Sequence, residues 1–301
     1  MSSVLFDVPG PRARTRHRLV AAVGGIVVLG ALAWVLTKFA EKDNLEAAKW
    51  APFLTWEIWN SYFIPGLIGT LKAAAISIGL AGALGLLLGI GRMSPIRALS
   101  WLSTAFIELF RAVPVLVMMF FSFYLYTTKG VFPDEINPLA AVVTALTIYN
   151  GSVVAELIRS GVGSLPSGQA EGGLSIGLTP FQTLRLIQLP QAITAMLPAI
   201  VGQLVVVLKD SALGNIILYP ELLTTYSQIG SYKSNPVPAL MVIAVIYIVI
   251  NYLLTVLAGR VERRLRAKGR PTIGRGAAGG GALPPPAGAV VPAETAAPVG
   301  A

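Results

Sequence analysis

The chain has 301 residues, of which 54% are hydrophobic and 12% are charged, and its formal net charge is +9. Soluble domains carry a charged fraction of about 25%, so this composition excludes an ordinary globular protein and indicates a polytopic membrane protein. The absence of cysteine from the sequence excludes disulfides and thiolate metal sites, and the single histidine, His17, is typical of a solvated charge in a basic segment.

The N-terminal region predicts a basic tail followed by a membrane helix. Residues 1–18 contain four arginines and two prolines, which predicts a flexible cytoplasmic tail. Residues 19–37 form an apolar run that is long enough to cross a bilayer. A cleaved signal peptide is the alternative, but the run is long for a signal core and no small-x-small cleavage site clearly follows it.

The next segment, residues 39–63, mixes charged residues with three tryptophans and one tyrosine, Tyr62, which is typical of a membrane interface. Residues 19–63 are therefore predicted to form an extra transmembrane helix and an external interfacial segment. Five further spans are predicted within residues 64–260, at 64–90, 102–126, 139–158, 197–218 and 237–258. The fold class is all-α: a polytopic membrane helix bundle of about six transmembrane helices. Residues 261–301 are predicted to be a basic, then disordered, cytoplasmic tail.

The distribution of positive charge predicts the orientation. If the spans alternate from an internal N-terminus, 15 of the 23 Lys and Arg residues fall inside, five fall outside and three lie within spans. Such an excess obeys the positive-inside rule. We therefore expect a multi-pass protein of the cell membrane, with both termini and residues 159–196 in the cytoplasm.

Residues 159–192 carry the signals of two short helices that meet at an angle. Ser167 is predicted to cap the first helix, and Gly177 is predicted to end it in the left-handed conformation. Thr179 and Gln182 have the spacing of a capping box at the start of the second helix. Pro190 is predicted to stop that helix. The result is a helix-turn-helix, here called the elbow.

The elbow resembles the EAA loop of permease subunits in ATP-binding-cassette importers. The matching residues are Glu171-Gly172-Gly173, Gly177 and Ile187-Gln188-Leu189-Pro190, and their spacing agrees in full. The two glycines replace the usual alanines, which should weaken the first helix by about 1 kcal/mol per position. The resemblance implies a coupling loop that docks on an ATPase through the following residues: Glu171, Gly172, Gly173, Gly177, Phe181, Leu184, Ile187, Leu189 and Pro190.

A second set of motifs resembles permeases for polar amino acids. Residues 108–114 are similar to the F-R-G-T-P signature, and Pro114 is predicted to kink its span. Residues 149–167 and 208–213 also resemble that family, so that the similarity covers about residues 60–260. Gly202 stands where the family often has Asn. Three glycines, Gly82, Gly85 and Gly89, are predicted to allow close helix packing within the bundle rather than a dimer seam.

Six ionisable residues lie within the predicted spans, where burial of charge is costly and usually functional. Some lie near a span end, and Glu108 and Arg111 could simply pair on one helix face. The cations could bind a substrate carboxylate, whereas the carboxylates could neutralise them or attract an ammonium group. The predicted substrate pathway consists of Lys72, Glu108, Arg111, Glu156, Lys209 and Asp210.

The resemblance also implies the partners. They are cytoplasmic ATPase subunits, a second permease subunit that is identical or paralogous, an external amino-acid-binding protein and membrane lipids, but no nucleic acid. The sequence contains no G-x-x-x-x-G-K-[ST] motif, so we expect this chain to be no enzyme and to bind no cofactor, with ATP and magnesium used by the partner ATPase. Uptake of glutamate or aspartate is the preferred interpretation.

Two other classes of function compete with this interpretation. An ion-coupled secondary transporter would also use intramembrane charges and broken helices, but no convincing internal repeat is found. A membrane-embedded enzyme would need a histidine, cysteine or carboxylate constellation at membrane depth. Metal-dependent hydrolysis and thiol chemistry are excluded by the lack of cysteine and by the position of His17.

Overall fold

The computed structural model describes residues 10–233 and 235–268, and within these residues it consists of helices and turns without a strand. The all-α prediction is confirmed. Two 3₁₀ turns (Ala51–Leu54 and Ser211–Ile217) and two π turns (Trp59–Phe63 and Leu184–Gln188) interrupt the α-helical segments. The α-helices are α1 (Pro11–Glu41), α2 (Ala47–Trp50), α3 (Trp56–Ile58), α4 (Ile64–Arg92), α5 (Arg97–Ala112), α6 (Val115–Lys129), α7 (Asn137–Gly163), α8 (Gly168–Ser175), α9 (Pro180–Thr183), α10 (Leu189–Asp210), α11 (Thr224–Lys233) and α12 (Pro236–Lys268).

The number of membrane spans agrees with the prediction of about six. Among the described residues, five helical stretches are long and apolar enough to cross a bilayer, and α5 with α6 raises the number to six if the pair is one span. The predicted kink at Pro114, within the span predicted at 102–126, is confirmed, because α5 and α6 meet at a bend of 102°. Val113, which precedes Pro114, is extended at φ −84° and ψ 128°, as expected before a proline that disfavours helix.

Both terminal helices are longer than predicted. Helix α1 begins at Pro11 instead of residue 19, because a proline in the first turn loses no helical hydrogen bond. Its apolar stretch is fully exposed within this single chain. Helix α12 continues ten residues beyond its predicted end at 258. The remaining parts of the two predicted tails, residues 1–9 and 269–301, lie outside the described residues.

Helices α4 and α7 form the centre of the bundle. A Cβ atom on Gly85 would lie 2.6 Å from Cγ1 of Val154, and one on Gly89 would lie 3.4 Å from the carbonyl oxygen of Ala155. These two glycines therefore allow close backbone approach within the bundle, as predicted. Gly82 faces open space instead.

The segment between α1 and α4 packs against one end of the bundle. Phe53, Ile58 and Phe63 are buried in a cluster with residues from α11 and α12. Asn235 Nδ2 donates a hydrogen bond of 2.9 Å to the Lys49 carbonyl, which ties the segment to the start of α12. We call this end of the bundle the opposite end, and the end that carries α8 and α9 the elbow end.

Candidate functional site

The elbow turns through a glycine in the left-handed conformation. Gly177 has φ +83°, its N–H donates to the Leu174 carbonyl at 3.0 Å, and the next N–H, from Leu178, donates to Gly173 at 3.2 Å. These two bonds form a Schellman motif, which satisfies the last carbonyl groups of α8. The predicted end of the first arm at Gly177 is confirmed.

The second arm starts with the predicted capping box. The Thr179 N–H donates to Gln182 Oε1 at 2.8 Å, and the Gln182 N–H donates to Thr179 Oγ1 at 3.3 Å. Ser167 precedes α8 as predicted but makes no side-chain cap. Its φ of −55° and ψ of −33° are already helical, whereas a capping residue has extended backbone angles. The predicted capping role of Ser167 is therefore wrong.

Pro190 does not stop the second arm, contrary to the prediction. The helix passes from α9 through the π turn Leu184–Gln188 into α10, and Pro190 lies in the first turn of α10. The missing N–H is tolerated there because the change from π to α register already interrupts the regular hydrogen-bond ladder. Helical structure consequently continues from Pro180 to Ile217. The second arm is thus directly joined to a membrane span.

The two arms touch through Gly173, whereas Gly172 faces open space. A Cβ on Gly173 would lie 2.5 Å from Thr183 Cγ2 and 3.1 Å from Ile187 Cδ1, but a Cβ on Gly172 would meet no atom within 4 Å. Gln191 Nε2 donates a 2.8 Å hydrogen bond to Gln169 Oε1 and links the arms a second time. The elbow is therefore a compact body with two inter-arm contacts.

The outer surface of the elbow is apolar around one carboxylate. Glu171 is exposed, and so are large apolar side chains on the same arm and turn, with Leu174 at 49% and Ile176 at 74% exposure. Of the predicted second-arm residues, Leu184 and Leu189 are buried, Ile187 is half-buried, and Phe181 is exposed. Such a surface can bind another protein, and it holds no constellation suited to bond-breaking chemistry.

A network of five charged residues lies at the elbow end of α4, α5 and α7. Arg92, the last residue of α4, contacts Glu108 at 2.9 Å and Glu156 at 2.8 Å. Arg111 lies 3.7 Å from Glu156 and 4.0 Å from Glu108, and Arg159 also pairs with Glu156. The predicted pairing of Glu108 with Arg111 is present, but the shorter contact of Glu108 is with Arg92.

A cavity of about 430 Å³ opens at the opposite end and contains Lys72. Glu135, Tyr219 and Glu221 also line it. The Glu221 side chain is buried, and its carboxylate accepts 2.8 Å hydrogen bonds from the N–H groups of Leu223 and Thr224. Burial raises the pKa of Glu221, while these hydrogen bonds oppose the increase. The carboxylate also accepts a hydrogen bond from the Tyr247 hydroxyl and thereby links the segment before α11 to α12.

The remaining predicted residues lie elsewhere. Lys209 is exposed and lines an apolar cavity of about 540 Å³ with residues of α12, and Asp210 is half-buried beside it. The six ionisable residues predicted for the substrate pathway thus occupy three places: the cavity at the opposite end, the wall between α10 and α12, and the network at the elbow end.

The family described as binding-protein-dependent transport system inner membrane component matches residues 81–267. The chain belongs to this family. It is 48% identical over 224 residues to the glutamate transport system permease protein GluD of Corynebacterium glutamicum, covering 74% of this chain and 82% of that protein. It is 36% identical to the probable glutamine ABC transporter permease protein GlnP of Bacillus subtilis, covering 69% and 93%. A crystal structure of an amino acid ABC transporter has a TM-score of 0.61 at 32% identity, covering 67% and 93%.

These similarities confirm the assignment to permeases of amino acid importers, and nothing in them favours the ion-coupled alternative. The interactions of Arg92, Arg159 and Glu221 in this permease are not among the features predicted from its sequence. Arg92 resembles an ordinary span-end charge, because its contact with Glu156 depends on the packing of α4 on α7. Arg159 follows Glu156 by three residues on α7, so the sequence spacing was a usable signal for that pair. A usable signal existed for Glu221, since an acid shortly before a helix start can accept the first N–H groups of that helix.

The two glycines of this permease's elbow should respond differently to alanine. Gly172→Ala is expected to stabilise the elbow by about 1 kcal/mol, because the site is open and alanine favours helix. Gly173→Ala should loosen the elbow, since its methyl group would displace Thr183. Amide hydrogen exchange in α8 should therefore slow in the first variant and accelerate in the second. Equal effects of both substitutions would contradict the inter-arm contact at Gly173.

Proposed function

We propose that the chain is the membrane-spanning subunit of an importer for an acidic amino acid, driven by ATP that separate subunits hydrolyse. The observation that carries this proposal is the elbow, a rigid helix pair that exposes Glu171 and is continuous with a membrane span. Glutamate and aspartate are the preferred substrates because GluD, a relative with 48% identity, is a glutamate transport permease. The probable glutamine permease GlnP makes glutamine the competing substrate.

The protein is proposed to lie in the cell membrane with the elbow end in the cytoplasm. Arginines are concentrated at this end, for example Arg92, Arg159 and Arg185. The basic C-terminal end of α12 is placed at the same end, because successive spans alternate in direction. The opposite end carries Glu57, Glu135 and Glu221 instead. This arrangement follows the positive-inside rule and supports cytoplasmic termini.

The coupling step is proposed to be mechanical. Glu171, Leu174 and Ile176 are exposed on the first arm and turn of the elbow and would contact a groove on the ATPase subunit. Closure of the ATPase dimer would move the elbow as one body, because its arms are held by Gly173 and by the Gln169–Gln191 hydrogen bond. The movement would reach α10 without an intervening loop and would change access to the pathway shared with a second permease subunit.

Substrate is proposed to enter at the opposite end, where an external binding protein would release it. Lys72 provides a cation in the 430 Å³ cavity and could bind one carboxylate of the substrate. Glu135 could attract the ammonium group at the same cavity. Lys209 and Asp210 would lie further along the pathway.

Reconstitution of the whole complex tests this function. Vesicles containing this chain, its second permease subunit and the ATPase should hydrolyse ATP faster when the binding protein is loaded with glutamate or aspartate. Lys72→Ala should raise the half-maximal concentration of loaded binding protein about tenfold, which corresponds to one charge-assisted hydrogen bond of about 1.5 kcal/mol. Lys38→Ala is the matched control, since Lys38 pairs with Glu41 at the end of α1. Stimulation by glutamine alone would reject the acidic substrate, and uptake without any ATPase would reject the importer.

A further inference from the structure

Helix α5 carries its charged residues along a single edge. The edge consists of residues three or four positions apart, which lie within one narrow arc of the helix. They are Arg97, Ser100, Thr104, Glu108 and Arg111. The edge extends from the first residue of α5 to its penultimate residue, a distance of about 21 Å. A polar edge of this length does not suit a helix that crosses the hydrocarbon of a bilayer.

Two positions of α5 that are eight residues apart both contact Arg92. Ser100 Oγ donates a 2.7 Å hydrogen bond to the carbonyl oxygen of Arg92, and the Arg92 guanidinium contacts Glu108 at 2.9 Å. Eight residues of helix separate Ser100 from Glu108, which is about 12 Å along the axis. Because the last residue of α4 contacts both positions, α5 runs across the end of α4 instead of along its side.

Helix α6, not α5, follows the direction of the spans. The Tyr126 hydroxyl lies 2.9 Å from Thr144 Oγ1 on α7, and Arg111, just before α6, lies 3.7 Å from Glu156 near the other end of α7. Helix α6 therefore runs antiparallel to α7. The bend of 102° then turns α5 almost perpendicular to both.

The side of α5 that faces away from the bundle is apolar. Ser103 and Ile107 are buried against the bundle, whereas Trp101, Leu102 and Leu109 are 70%, 58% and 59% exposed. On a helical projection these exposed residues lie opposite the two buried ones. The polar edge lies between the two faces.

We propose that α5 is an interfacial helix that lies in the plane of the membrane at the elbow end. Its exposed apolar face contacts phospholipid acyl chains, and its charged edge faces water and the head groups. Short connections tether both of its ends to membrane spans, through residues 93–96 on one side and residues 113–114 on the other. A helix held at this depth with an apolar and a charged side has the arrangement of helices that lie within the interface.

The sequence contains no cysteine, which permits a direct test with single-cysteine spin labels. We would label Ala98→Cys, Leu102→Cys, Ala105→Cys and Leu109→Cys in the assembled complex, in vesicles of phosphatidylcholine and phosphatidylglycerol. The relative access of oxygen and an aqueous nickel chelate gives the depth of each label. All four depths should agree within about 4 Å, because these positions share one face of a helix parallel to the surface.

Labels on α6 provide the matched control. Val117→Cys, Phe121→Cys and Tyr124→Cys are at exposed positions, and their depths should change steadily by about 10 Å over seven residues. If α5 were half of a span, residues 98 and 109 would differ in depth by about 16 Å, which would overturn the proposal. Labels on α5 that are shielded from oxygen would also overturn it, by showing protein instead of lipid on this face. The depths are measured without transport, so either result is independent of the proposed substrate.

Discussion

Replacing Gly177 with valine is expected to abolish uptake while the chain still inserts into the membrane. The residue has φ +83°, and a Cβ at this position would meet no atom within 4 Å, so the damage comes from backbone conformation alone. A β-branched residue in the left-handed region costs about 2 kcal/mol, which is enough to open the Schellman turn and separate the arms. Uptake of labelled glutamate and retention of the ATPase on washed vesicles would both fall at least tenfold.

Two substitutions control for this result. Gly177→Asn should retain most of the activity, because asparagine tolerates the left-handed conformation. Gly163→Val adds the same side chain in open space at a position without a positive φ, and it should transport normally. If Gly177→Val transports like Gly163→Val, the turn is not needed for coupling and the proposed mechanism fails.

Glu171→Lys addresses the docking surface instead of the turn. Glu171 is exposed, so the substitution leaves the fold of the elbow intact but reverses the charge offered to the ATPase. Together with Gly177→Val it separates contact from rigidity: both variants lose uptake, but only Gly177→Val accelerates hydrogen exchange in α8.

The features predicted correctly from the sequence are those set by neighbouring residues. Gly177 ends α8 and Thr179 begins the second arm, because each forms its hydrogen bonds within five residues along the chain. Pro190 predicts a helix stop because a proline disfavours helical backbone angles in the residue before it. The preceding π turn changes the hydrogen-bond register, and the helix continues through Pro190. Local rules therefore located the elbow but not its continuation into α10.

The charged network could not be predicted in the same way. Pro114 indicated a kink, but the direction of α5 depends on the contacts of Glu108 and Arg111 with Arg92 and Glu156. Those contacts require the relative register of α4, α5 and α7, which arises from packing of Gly85 and Gly89 against α7 and of Gly91 against Ser103 of α5. A charge within a span indicates a functional role such as substrate binding, although partners on neighbouring helices give it an equally good structural role.

Glu156→Gln distinguishes these two roles. Glu156 contacts three arginines, and its side chain is 20% exposed, so neutralising it leaves Arg92, Arg111 and Arg159 with one carboxylate among them. We expect the substitution to lower the free energy of unfolding by about 2 kcal/mol, a value between those for exposed and fully buried ion pairs. The thermal unfolding midpoint of the purified complex should fall by about 5 °C.

Glu108→Gln is the matched control, since its side chain is 56% exposed and its loss still leaves Arg92 paired with Glu156. This variant should lower the unfolding midpoint by less than half as much, because solvent screens an exposed pair. If the network is structural, neither variant changes the glutamate concentration that gives half-maximal uptake. A tenfold increase of that concentration with an unchanged unfolding midpoint would instead place Glu156 in the substrate pathway. The loss of a substrate-binding residue weakens transport without weakening the fold.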